Sequence, residues 1–355
     1  MKILLISPSI YMSSVFSDMI YAPRELAVTL ADGLVDRGHD VTFATAPDVE
    51  TRAKLLPGDA RFLGLVSAHP DHALIKRDYE VDLLSCAFST AGSFDVVHVW
   101  AVTMAHYFEQ FTNLPVVYTL HDPLPTPGDL GYAVFEKFAS HAYVSISDSQ
   151  RKSDLKLDFA GTVYHGIDTA LYPFHAKADN GFVFLGRLVP EKGVTDAIKA
   201  CVVTNERLLI GSQFPKPGES DYVDRDIRPM LDDPKIEEVG MVTDGAKAEL
   251  LGRAKALLFP IHWEEPFGMV MIEAMAAGTP VIGYRRGSVP EIVKDGVTGF
   301  IVEPNDGVEG LVRAMKRIGE IDRAACRKHV EERFSVEQMV KGYERVYHSL
   351  LDKSR

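Results

Sequence analysis

The feature that most constrains this chain is one pattern used twice. Between Lys2 and about Ile167, apolar runs of strand length alternate with stretches of helical periodicity, and at Phe182 the alternation starts again. The first half offers strands at Lys2 to Ile6, Val41 to Ala44, Val96 to Trp100, Val116 to Leu120 and Ala142 to Ile146. The second offers Phe182 to Leu185, Leu208 to Ile210, Leu257 to Phe259 and Pro280 to Ile282. Such unbroken apolar runs suit strands covered on both faces, as in a parallel sheet between layers of helices. The spacing of Leu26, Leu30 and Leu34 predicts a helix over Pro23 to Arg37, with Gly38 to end it. Between the halves, Tyr172 to Asn180 mixes Pro, Asn and charge without a period and reads as a connection. The fold class is therefore α/β, with two Rossmann-like parallel-sheet domains facing a central cleft. Residues 1–172 are expected to form the first domain, residues 178–334 the second, and residues 335–355 a final helix.

A length of 355 residues allows two hydrophobic cores, and 46% hydrophobic with 25% charged residues excludes disorder. The net charge of −12 argues against a phosphate-backbone-binding surface, so nucleic acid is set aside as a partner. No run approaches the roughly 20 apolar residues that cross a bilayer, which leaves only peripheral membrane contact. Lys2 to Ile6 is too short for a secretory signal, and Cys86, Cys201 and Cys326 suggest neither a disulfide framework nor a compact metal site. The expected location is the cytoplasm. Oligomeric state is not readable.

The densest chemical signal runs from Pro260 to Pro280. It reads as a strand end, a loop, and a helix from about Phe267 that Gly278 can terminate. Gly268 leaves the first turn unobstructed, so N–H groups of Gly268, Met269 and Val270 can face an anionic oxygen. Glu265 precedes the helix and is assigned to a sugar in the cleft, while Glu273 lies within it and suits paired ribose hydroxyls. Taken singly, each glutamate also reads as a solvated surface residue. Gly186-Arg187-Leu188-Val189-Pro190-Glu191-Lys192-Gly193 follows a strand directly, so Arg187 and Lys192 fall where two cations can neutralise a diphosphate in place of a metal. Two solvated charges around a turn, with Glu191 as partner, is the competing reading. Gly211-Ser212 and Gly240-Met241-Val242-Thr243 end neighbouring strands, where backbone groups near Met241 and Val242 can meet a nucleobase or simply make turns.

In the first half, Val116 to Pro123 carries His121 to a sheet edge, as a hydrogen-bonding partner for a sugar hydroxyl or as a structural histidine. The other histidines, among them His39, His69, His72, His98, His106, His141, His165, His175 and His262, show no close metal-ligand spacing, so no metal is assigned. A nucleophile elbow, a phosphate loop ending in Gly-Lys-Ser/Thr and a dinucleotide-binding glycine pattern after Ile6 are all missing from the sequence. Hydrolase, kinase and dehydrogenase readings lose ground accordingly.

Over nearly its whole length the chain resembles the retaining GT-B glycosyltransferases of family 4. Glu265-Pro266-Phe267-Gly268-Met269-Val270-Met271-Ile272-Glu273 matches that family's Glu-x7-Glu element, and Gly186 to Gly193 its phosphate-binding segment. Ala274 to Ile282, Gly287 to Val293 and Asp295 to Phe300 follow in the family's order. The resemblance implies metal-independent transfer of a hexosyl group, with retention, from a nucleotide-diphosphate sugar to an unidentified acceptor hydroxyl. UDP-sugar is slightly favoured over GDP-sugar, and no cofactor beyond this donor is implied. It further implies that Arg187 and Lys192 hold the diphosphate, Glu273 the ribose and Glu265 the transferred sugar, with His121 near that sugar. The final helix, around Val336 to Leu351, is implied to pack on the first domain through Met339, Tyr343, Val346 and Leu350. The alternatives are an epimerase or glycosyl phosphorylase of the same fold, or a non-enzymatic sugar-nucleotide sensor. One departure stands out: the family's Gly-Gly loop after the first strand is replaced by Tyr11 to Pro23, where Tyr11, Met12, Phe16 and Tyr21 read as an acceptor platform or as ordinary loop packing.

Overall fold

The computed structural model describes residues 1–16, 22–66, 72–100 and 103–353. The chain divides into two compact units, one of Met1–Ile146, Arg151–Gly166 and Val336–Arg355, the other of Ser147–Gln150 and Ile167–Ser335.

The first unit holds a seven-stranded sheet of β1 (Lys2–Ile6), β2 (Asp40–Thr45), β3 (Lys54–Pro57), β4 (Val96–Trp100), β5 (Val116–Thr119), β6 (Ala142–Ser145) and β7 (Asp158–Thr162). Their order is β3-β2-β1-β4-β5-β6-β7, and every pairing is parallel. The second unit holds six strands: β8 (Phe182–Leu185), β9 (Leu208–Gly211), β10 (Ile236–Gly240), β11 (Leu257–Phe259), β12 (Val281–Tyr284) and β13 (Gly299–Val302). They run β10-β9-β8-β11-β12-β13, again all parallel. In both sheets the order reverses between two central neighbours, β1 and β4 in one, β8 and β11 in the other. Connections leaving those two strands part to opposite sides, which opens a crevice beyond their carboxyl ends.

Central strands are the apolar runs read from the sequence, and their residues are fully buried: Ile3 to Ile6, Val96, Val97, Val99, Val183, Leu257 and Leu258. Edge strands are another matter. Every residue of β3 is exposed or half-buried, and β10 carries Glu237 and Glu238 with only Ile236 buried, so neither carries an unbroken apolar signature. Pro57 is tolerated in β3 because an edge strand leaves one row of N–H groups unpaired.

Helix Ala22–Asp36 packs against the final helix, Val336–Lys353, in the first unit. The two approach so closely at Gly33 that a Cβ there would fall 2.6 Å from Val340 Cγ2. Met339, Val340, Tyr343, Val346, Tyr347 and Leu350 form the buried stripe of the final helix. A fully buried polar knot ties this helix to the sheet. His98 Nδ1 meets the Tyr347 hydroxyl at 2.7 Å, His98 Nε2 meets Thr119 Oγ1 at 2.8 Å, and Thr119 donates to the Tyr343 hydroxyl at 3.1 Å. Among the described residues, no helix is long and apolar enough to cross a membrane.

Candidate functional site

The second unit builds its site from the loops that leave β8 and β11. After β8 the chain makes a tight turn, Pro190–Lys192, closed by Gly193 at φ +72° before helix Val194–Thr204 begins. A Cβ on Gly193 would lie 1.8 Å from the Pro260 carbonyl oxygen, so the β8 loop presses directly on the end of β11. The His262 amide donates to the Glu191 carbonyl at 2.8 Å and stitches the loops together.

That contact brings Lys192 to Glu265. Their side chains form an ion pair, each only 14% exposed, and the Trp263 indole N–H donates to the same carboxylate oxygen at 2.8 Å. Lys192 Nζ lies 4.7 Å above the Trp263 ring, a cation–π position. The loop is held from behind by the segment after β12: Glu264 accepts the Gly287 amide at 2.6 Å, Ser288 N–H donates to the Glu265 carbonyl at 3.0 Å, and Ser288 Oγ donates to the Phe267 carbonyl at 2.5 Å. Phe267 itself is a core residue, 3% exposed and edge-on to Phe334, so its ring is committed to packing.

Gly268 takes the left-handed conformation (φ +79°, ψ +68°) that turns this loop into helix Met269–Ala276, and a Cβ would crowd Met271 Cε at 2.8 Å and Phe259 Cζ at 3.0 Å. The amides of Gly268, Met269 and Val270 have no acceptor among the described residues, which leaves them as a helix-terminal anion-binding group. Gly278, at φ +91°, ends the segment after the helix, as its position in the sequence suggested.

Glu273 is buried within that helix, and Lys247 Nζ donates to its Oε1 at 2.8 Å. Lys247 was not among the residues singled out from the sequence. It stands on helix Asp244–Arg253, just after the Met241 to Thr243 loop, and its partner is 26 positions away. Met241 is exposed, whereas Val242 is half-buried at the end of β9, 3.2 Å from where a Gly211 Cβ would lie. Arg187 is exposed, with no hydrogen bond or ion pair among the described residues. Around the β8–β11 switch the second unit thus presents Arg187, the Lys192–Glu265 pair and three amides unpaired among the described residues.

In the first unit, His121 follows β5 and stacks face to face on His165 (centroids 5.2 Å apart, planes 6° apart), with Trp100 4.3 Å away. Burial, aided by neighbouring His165 and His98, holds its imidazole neutral well below the ordinary histidine range. Its Nε2 is buried and has no hydrogen-bond partner among the described residues. In the loop that replaces the Gly-Gly element, Tyr11 and Phe16 pack edge to face at 5.2 Å, Met12 is buried, and Arg24 donates to the carbonyls of Tyr11 and Phe16. Ordinary packing therefore accounts for these three; Tyr21 lies outside the described residues, as does His69.

The family model for glycosyl transferases group 1 matches residues 173–333, and that for glycosyltransferase family 4 matches residues 25–171. An uncharacterized glycosyltransferase of Methanocaldococcus jannaschii is 30% identical over 68% of this chain and 70% of its own length. The chain belongs to glycosyltransferase family 4. This family 4 member is also 31% identical to a glycogen synthase of Mycobacterium tuberculosis, over 66% of the chain but only 62% of that relative's length. Its GT-B fold is shared with an Anabaena protein solved with UDP and glucose, at a TM-score of 0.70 and 19% identity, covering 98% of this chain and 100% of the other.

Proposed function

We propose that the chain transfers a hexosyl group from a nucleotide-diphosphate sugar, with UDP-sugar slightly favoured over GDP-sugar, to an acceptor hydroxyl, retaining the anomeric configuration and needing no metal. The carrying observation is the set of anion-binding donors gathered at the β8–β11 switch: Arg187, which has no hydrogen bond or ion pair among the described residues, Lys192, held beside Glu265, and the three amides opening helix Met269–Ala276. The UDP and glucose of the Anabaena relative support the choice of ligand.

In this reading Arg187, Lys192 and the helix amides take the diphosphate oxygens. The bond from the anomeric carbon to phosphate breaks, the bond to the acceptor oxygen forms on the same face, and the acceptor proton passes to the departing phosphate. The cations and amides stabilise the dianion as it emerges. Lys192 meets this charge while held beside Glu265, so the carboxylate that positions the sugar and the cation that receives the phosphate are fixed by one contact. Glu273, oriented by Lys247, accepts the ribose hydroxyls. The neutral His121, whose Nε2 has no hydrogen-bond partner among the described residues, is assigned a hydroxyl of the transferred sugar. Met241 and Val242 are assigned the nucleobase side.

The test is an NMR assignment of the anomeric configuration of the product, made in buffer free of magnesium and manganese. Retained configuration is expected at full rate. An inverted product, or transfer that needs either ion restored, overturns the mechanism.

A further inference from the structure

Off the donor site, the first unit gathers three metal-ligating side chains that are scattered in the sequence. His106 lies in the turn Thr103–Tyr107, Glu109 in the next turn, and His141 immediately before β6. His141 Nδ1 is 3.0 Å from His106 Nδ1 and 2.7 Å from Glu109 Oε2, and one ligand atom from each of the three lies within 4.8 Å of the others. His141 stands at the amino edge of the sheet, level with the start of β5, whereas His121 leaves the carboxyl end of that strand. The cluster is therefore not part of the sugar site.

We propose that His106, Glu109 and His141 bind a divalent transition metal, zinc in preference, through two imidazole nitrogens and one carboxylate oxygen with a fourth position open. Tetrahedral zinc with bonds of about 2.0–2.2 Å sets its ligand atoms about 3.3–3.6 Å apart. The 3.0 and 2.7 Å contacts of His141 are shorter, so the side chains must part by roughly half an ångström or more to admit the ion.

Hydrogen bonding already prepares the ligands. The Tyr143 hydroxyl donates to the Phe138 carbonyl at 2.9 Å, so its oxygen faces His106 Nε2 at 3.4 Å as an acceptor. This keeps the His106 ring proton on Nε2 and leaves the Nδ1 lone pair directed at His141. The Tyr118 hydroxyl donates to Glu109 Oε2 at 2.9 Å and orients the carboxylate. His141 Nδ1–H donates to Glu109 Oε2 and faces the His106 Nδ1 lone pair; an incoming metal would replace this hydrogen, with the His141 ring proton taken up on Nε2.

The walls are aromatic: Phe138 stacks on His106 at 5.3 Å and Tyr118 lies 4.0 Å from it. His106 is 2% exposed, while Glu109 and His141 border a surface depression of about 390 Å³ that gives an ion a way in. Imidazole with carboxylate is a zinc-type donor set, unlike the all-oxygen sets of magnesium and calcium. Lys137 lines the same depression, so with only one ligand carboxylate the fourth position suits an anion, hydroxide or chloride. Bound metal would pin the β4–β5 connection to the start of β6.

The experiment uses tag-free full-length protein, stripped with chelator and titrated with zinc by calorimetry, with cobalt as a spectroscopic probe. One equivalent of zinc, four-coordinate visible bands from cobalt and a raised melting temperature of the first unit are expected. Glu109→Gln and His141→Ala should each weaken zinc binding by about 100-fold or more, and Tyr143→Phe by about 10-fold, in line with what ligands and their outer partners contribute. Circular dichroism of each variant checks folding, and UDP binding should be the same with and without zinc. Absence of zinc uptake by the wild type, or uptake unchanged in folded Glu109→Gln and His141→Ala, overturns the proposal. Neither result bears on the donor site.

Discussion

Replacing Gly193 by alanine should disable the donor loop by a route that can be worked from the coordinates. The residue sits at φ +72°, a conformation that costs an alanine about 1–2 kcal/mol. The new Cβ would also fall 1.8 Å from the Pro260 carbonyl oxygen, about half an ordinary contact distance, and that oxygen belongs to the backbone leaving β11. Relief requires the β8 loop to lift away, which breaks the bond from His262 N–H to the Glu191 carbonyl, a loss of about 1 kcal/mol. The sum is about 2–3 kcal/mol. For a folding unit of roughly 150–250 residues this lowers the melting temperature by about 4–12 °C. Lys192 is the adjacent residue, so UDP affinity should fall by about 10-fold or more, the equivalent of one charge-assisted hydrogen bond. Gly186→Ala is the control in the same loop, because its Cβ would meet only the Phe184 ring at 3.5 Å, an ordinary contact. Scanning calorimetry and UDP titration of both variants are the assay. Gly193→Ala melting with the wild type and keeping its UDP affinity, or Gly186→Ala suffering an equal loss of stability, would refute the reasoning.

Three further perturbations separate the roles. Arg187→Ala removes an exposed side chain without a partner among the described residues, so thermal melts should be unchanged within about 0.5 kcal/mol, while UDP-sugar affinity measured by calorimetry drops about 10–100-fold. Lys247→Met strands the buried Glu273 carboxylate and should cost about 1–3 kcal/mol in urea unfolding. Adding Glu273→Gln should recover most of that stability but leave nucleotide affinity low, and a double variant no more stable than Lys247→Met would contradict the pairing. The third concerns acid. Burial pushes His98 down to about 3, while the unfolded chain protonates near 6.5. Its contribution to stability is therefore complete above 6.5 and lost as the pH falls from there toward 3, by up to about 1.4 kcal/mol per pH unit. His165 follows the same course for the same reason. Urea unfolding of His98→Asn between pH 6 and 4 should show a slope shallower by about one proton, and a slope equal to the wild type's would show that His98 is not neutral in the fold.

What the amino-acid order determined by itself is whatever depends on near neighbours. β1, β4, β8 and β11 were legible because strands buried on both faces must be apolar throughout, and helix Met269–Ala276 because Gly268 and Gly278 mark its ends. β3 was not, since a half-exposed edge strand carries no such run, and β10 was read only at its Gly240 end. The motif Glu265 to Glu273 and the segment Gly186 to Gly193 pointed to the donor chemistry, yet only the tertiary structure decided that Lys192 pairs with Glu265, 73 positions away, and Glu273 with Lys247. Likewise, nothing in the spacing of His106, Glu109 and His141 joins them; the pairing of β4, β5 and β6 does. Propensity and periodicity act over a few residues, whereas ion pairs and ligand sets are chosen by which strands become neighbours, a property of the folded sheet.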